Sequence, residues 1–172
     1  VGYQGQGGLT IGNGAVVSIS GTNSGMNVGG ASGGNGRVQV ADSGSQLNIS
    51  GDRSHLTVGV NGGTGSLSVN GTGAQANVSG NGASIGVGNG AQNAQLTVQN
   101  AGVLSLTSSG DALIALAVGF NGGSGTTTVT GAGSQISVSG TNSVLNVGIG
   151  GQGTLIVDSG GNLVVNGAAN AF

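Results

Sequence analysis

Short segments in which apolar and polar residues alternate recur along the whole chain. Apolar pairs spaced i, i+2 occur as Leu9/Ile11, Val38/Val40, Leu67/Val69, Leu96/Val98, Thr127/Val129 and Leu155/Val157, with Thr127 the one hydroxyl in the series. The second members stand 29, 29, 29, 31 and 28 residues apart. A second series runs Val17/Ile19, Leu47/Ile49, Ala76/Val78, Leu104/Leu106, Ile136/Val138 and Leu163/Val165, and a third Met26/Val28, Leu56/Val58, Ile85/Val87, Leu116/Val118 and Leu145/Val147. The intervening residues are mostly Thr, Ser, Asn or Gln, so each segment reads as a strand with one face towards a core and the other towards water. No segment sustains a helical period of 3.6.

Glycines keep time with these strands. Gly29, Gly59, Gly88, Gly119 and Gly148 follow the third segments at once. Gly21, Gly51, Gly80, Gly140 and Gly167 stand two residues after the second segments, and Gly7, Gly36, Gly65, Gly125 and Gly153 two before the first. Positive φ or close backbone approach at corners accounts for such usage. The prediction is an all-β, single-stranded parallel β-solenoid of about six three-strand coils, with a period near 29 residues and a roughly triangular section. Residues 1–172 form one solenoid domain in this reading. Equivalent residues should stack ~4.8 Å apart along the axis, and no coil should fold alone, because each buries its apolar face only against its neighbours. The fourth unit, Ser105 to Asn121, is longer by two residues and has Ser108 where the others have Gly. A bulge or protruding loop is expected there.

Composition narrows the function. Disordered chains combine low hydrophobicity with high net charge, whereas this one is 35% hydrophobic and 3% charged, with net charge −2. Its charges are Arg37, Arg53, Asp42, Asp52, Asp111 and Asp158, with His55 in addition. Two cations cannot neutralise a phosphate backbone, which excludes nucleic acid as a partner, and anionic membranes for the same reason. No run approaches the roughly 18 apolar residues of a spanning helix, so membrane insertion by a helix is not expected. Cysteine is absent from the sequence, removing disulfides and thiolate metal sites.

Candidate chemistry is sparse. The GxGxxG-like stretch Gly71 to Ala76 precedes no helix, and a P-loop needs a Lys that the chain lacks. Segments beginning at Gly33, Gly62 and Gly122 resemble the calcium nonapeptide, but Val38, Leu67 and Thr127 stand where its ion-binding Asp belongs. Solenoid enzymes acting on polysaccharides group carboxylates on one face. Here Asp52 and Asp111 should lie about 9.6 Å apart, and Asp42 and Asp158 about 19 Å. Neither a catalytic nor a metal site is therefore expected, and no cofactor. His55, beside Asp52 and Arg53, reads as a solvated corner cluster. Ice binding would need ranks of Thr, but the outward column Thr10, Gln39, Ser68, Thr97, Thr128, Ile156 is irregular. Glycosylation sequons at Asn48, Asn70 and Asn77 are expected by chance in such a composition.

The stretch from Val129 to Val165 resembles the repeats of bacterial autotransporter passenger domains. The residues that carry the likeness are Val129, Gly131, Gly133, Ser134, Leu145, Val147, Gly148, Gly151, Gly153, Leu155, Val157, Gly160 and Gly161. Where those repeats often place Trp, this chain has Leu47, Ala76 or Ile136. The resemblance implies secretion to the bacterial outer surface or beyond, a solenoid shaft, and a role in adhesion, aggregation or matrix building.

The leading expectation is a non-catalytic extracellular rod, a segment or subunit of a surface or shed fibre. The alternatives are an adhesin shaft that contacts glycans or cell surfaces through its irregular fourth coil, and a degenerate polysaccharide-acting solenoid enzyme. VGYQGQGGLTI at Val1 aligns without a gap with VGIGGQGTLIV at Val147, so Val1 should close a third strand, and Phe172 should open one. Both ends are expected to be uncapped. Val1, Gly2 and Tyr3 should meet Ala171 and Phe172 of the next copy head to tail, or the neighbouring coil of a longer chain.

Overall fold

The computed structural model describes residues 1–110 and 116–167. Every regular element among them is a strand. Strands β1 (Gln6–Ile11), β2 (Val16–Ser20) and β3 (Gly25–Gly30) make the first coil, and β4 (Asn35–Ala41), β5 (Gln46–Ser50) and β6 (His55–Val60) the second. The third holds β7 (Thr64–Asn70), β8 (Gln75–Asn81) and β9 (Ser84–Asn89), the fourth β10 (Ala94–Gln99), β11 (Val103–Ser109) and β12 (Leu116–Phe120). The fifth holds β13 (Ser124–Thr130), β14 (Gln135–Gly140) and β15 (Leu145–Val147), and β16 (Gln152–Asp158) and β17 (Asn162–Gly167) begin the next.

The coils stack into three parallel sheets, ordered β1-β4-β7-β10-β13-β16, β2-β5-β8-β11-β14-β17 and β3-β6-β9-β12-β15. The register is the one the repeats predict. Val38 faces Leu67, Leu67 faces Leu96, and Leu96 faces Thr127, while Met26 faces Leu56 and Leu56 faces Ile85. The inward columns are fully buried in the interior coils; in the outer ones Leu9, Val17 and Leu163 are partly buried, while Ile11 and Val28 are fully so. Leu47, Ala76 and Ile136 are all core residues.

The structure separates the two reasons for glycine. Gly88 has φ +81, and a Cβ there would lie 2.5 Å from the Ser124 carbonyl oxygen and 2.8 Å from the Gly125 nitrogen. Gly65 has no positive φ, yet a Cβ on it would overlap the Val28 carbonyl oxygen and the Gly59 nitrogen. The first serves conformation and crowding together, the second crowding alone. Buried serines close the corner before the third sheet: the Ser54 and Ser143 hydroxyls donate to the carbonyls of Ser79 and Gly140 at 2.8 and 3.0 Å.

The longer fourth coil is resolved into two changes. Six residues separate Val98 from Leu104 where seven separate Val69 from Ala76, and ten separate Leu106 from Leu116 where seven separate Val78 from Ile85. The added length therefore falls at the corner before β12, and Leu116 still faces Ile85 and Leu145. Ser108 lies opposite Gly80, buried, and its hydroxyl has no partner among the described residues. Asp111, which sequence placed at this corner, lies outside the described residues.

Thr127 occupies its inward position between Leu96 and Leu155, and its hydroxyl is likewise buried without a partner among the described residues. A buried unpaired hydroxyl costs about 1–3 kcal/mol on mutational scales. Thr127→Val keeps the shape and removes the hydroxyl, so it should raise the unfolding free energy by about that amount. Urea titration reads this directly, and a loss of stability would show that the hydroxyl is bonded in solution.

Candidate functional site

Because the interior is a packed core, any site must lie on the three outer faces or at the corners. The first sheet's outward column is Thr10, Gln39, Ser68, Thr97, Thr128, Ile156, as the pattern predicts. On the second sheet Asn77 Nδ2 donates to Asn48 Oδ1 at 2.8 Å, and Asn48 Nδ2 donates to Gln46 Oε1 at 3.1 Å. Asn70 Oδ1 accepts from Asn100 Nδ2 at 2.7 Å. The three sequon asparagines are thus tied into polar contacts along the stack.

Among the described residues the carboxylates do not converge. Asp42 sits at a corner with φ +71, and its Oδ2 accepts from the Asn13 backbone nitrogen at 3.2 Å. Asp158 lies opposite Thr130 at the end of the first sheet. Asp52 and Arg53 share the next corner, where their carbonyl and amide continue the ladder to Asn23 and Asn81. No group of three potential metal ligands occurs among the described residues. Val1 takes its expected place opposite Val28: its amino group donates to the Asn27 carbonyl at 2.8 Å and its carbonyl accepts from Gly29 at 2.8 Å. Gly2 accepts from Gly30, and Tyr3 lies over Gly30. Ala171 and Phe172 lie outside the described residues.

The outer face of the third sheet is different. Its central column reads Asn27, Thr57, Gly86, Ala117, Asn146. The second coil presents Arg53, His55 and Thr57, whereas the third has Gly82, Ser84 and Gly86 at the matching positions. The fourth contributes Ala117 and Phe120. A one-coil dip results, a groove of about 340 Å³ lined by these residues together with Ile85 and Asn89. A larger groove of about 460 Å³ runs over three stacked corners and is lined by glycines and small polar residues such as Gln92, Asn93 and Gln152.

Gly86 explains the dip. It lies mid-strand without positive φ, so its backbone does not require glycine. Space does: a Cβ on Gly86 would meet the Phe120 ring at 2.9 Å and the Thr57 methyl at 3.4 Å. Tyr3, His55 and Phe120 carry the aromatic rings among the described residues, and each covers a glycine, namely Gly30, Gly25 and Gly86. The sequence singles out the fourth unit, Ser105 to Asn121, but not this partnership. The available signal was a glycine at an outward strand position, where alternation elsewhere places a polar side chain.

The fold defines the class: a single-chain, three-sided parallel β-solenoid repeat protein. No protein-family model matches the chain, and no curated protein matches it. Among solved structures there is a weak likeness to the crystal structure of a TibC-catalyzed, hyper-glycosylated TibA fragment. The identity is 18%, the match covers 96% of this chain and 83% of that one, and the TM-score is 0.17. At that score the likeness carries no argument.

Proposed function

We propose that the protein is a non-catalytic structural rod of a bacterial outer surface or shed fibre, lengthened by head-to-tail stacking of coils. The observation that supports this is the single register held by all three sheets from the first coil to the last. Every added coil meets the same ladder and the same inward columns, whether it comes from further chain or from another copy. The autotransporter-like stretch Val129 to Val165 supports the extracellular setting.

Negative-stain microscopy of concentrated protein tests the stacking. Filaments of constant width and many coils' length are expected. Rods of one short length at every concentration would overturn self-assembly.

A second reading, a shaft that also contacts glycans, is favoured by the groove under Phe120. An aromatic ring beside hydrogen-bond donors offers both an apolar face for sugar C–H groups and partners for hydroxyls.

A further inference from the structure

The groove on the third sheet collects side chains that are scarce elsewhere. The whole chain has two Phe, one His and two Arg. One Phe, the His and one Arg line this single dip. From this convergence we infer that the groove binds a carboxylate-bearing sugar unit of an acidic polysaccharide, with the Phe120 ring as stacking surface and Arg53 as carboxylate partner. The inference deepens the glycan-contacting reading and rests on it.

The donors fit such a ligand. Arg53 forms no ion pair among the described residues, and its guanidinium offers a planar fork that matches a carboxylate. Asn89 uses its Oδ1 to accept from Asn121 Nδ2 at 2.9 Å, which leaves its own Nδ2 for a ligand. His55, Thr57 and Ser84 supply further hydrogen-bonding groups around the rim. The volume lies at the small end of ligand pockets, about 300–1,000 Å³. That suits one or two sugar rings and not a longer stretch held throughout.

The corner fixes where Arg53 stands. Asn23, Arg53, Gly82 and Asn142 hold equivalent corner positions, all in the left-handed region, with φ of 57, 56, 68 and 58. Asn and Gly adopt that conformation readily, whereas an Arg there costs about 1–2 kcal/mol. The turn lifts Arg53 at the groove edge, where the third coil has only Gly82 below it.

The test is a titration of the full chain, followed by NMR shifts or calorimetry, with oligogalacturonate, a hyaluronan oligosaccharide and sialyllactose. Neutral galacto-oligosaccharides serve as the comparison. At least one acidic probe should bind with a millimolar or tighter dissociation constant. Phe120→Ala and Arg53→Gln should each weaken it about tenfold or more. Gly86→Ala, which presses on the Phe120 ring, should weaken it too. Arg53→Gln changes an exposed side chain, so its melting temperature should hold and the loss can be assigned to binding. The inference is overturned if no acidic probe binds at millimolar concentration, or if Arg53→Gln and Phe120→Ala bind as the parent does. Binding of neutral sugars that falls with Phe120→Ala but not with Arg53→Gln would also overturn it, while keeping the broader glycan reading. Filament formation is read separately, so the structural proposal stands or falls on microscopy.

Discussion

Leu96→Ala should destabilise the protein by about 2–5 kcal/mol, seen as a fall in the urea midpoint. Leu96 is fully buried in a central strand, with Leu67 on one side and Thr127 on the other in the same column. Truncating it removes transfer free energy and leaves a cavity that neither neighbour can fill, because the ladder fixes the coil spacing. The weakened interface lies between coils, so the unfolding transition should also broaden as the coils on either side lose their coupling. Leu163→Ala supplies the contrast, since Leu163 is only partly buried, and it should cost about half as much or less. Equal losses at the two positions would show that central coils are no better supported than outer ones.

The second large effect is expected at Gly88. An alanine there takes a left-handed backbone conformation at about 1–2 kcal/mol. It also drives its Cβ into the Ser124 and Gly125 backbone, adding about 1–3 kcal/mol of overpacking. The sum is a loss of about 2–5 kcal/mol. Gly33 separates the two causes, because it has φ +83 but open space around its missing side chain. Gly33→Ala should therefore lose only about 1–2 kcal/mol, the conformational part. Thermal denaturation of both variants gives the difference, and comparable losses would remove the crowding explanation for the corner glycines.

The solenoid was legible because its signals are local and repeated. Each strand announces itself by alternation, and stacking then follows from equal spacing. Even Thr127 was assigned inward against its polarity, because the period left it no other place. Features that depend on contacts between coils were harder to see. The sequon asparagines read as chance, yet Asn48 and Asn77 form a ladder because register brings them side by side. The dip under Phe120 needs Gly86 in one coil and an aromatic ring in the next, and no single repeat contains both. In the sequence Arg53 stands with Asp52 and His55 as one solvated cluster. Its left-handed backbone was hidden because the equivalent residues, Asn23, Gly82 and Asn142, are chemically unlike it.

The direction of the hydrogen bonds has a mechanical consequence. Along the strands the chain is continuous, but along the rod axis neighbouring coils are joined by the ladders of three narrow sheets and by side-chain packing. Tension applied between the two ends of a rod therefore acts along those ladders and unwinds it from an end, one coil at a time. Each coil of about 29 residues releases about 100 Å of extended chain, at 3.3–3.6 Å per residue. A surface fibre made in this way would yield in steps under pull, lengthening by far more than its folded rise while the remaining coils keep their shape.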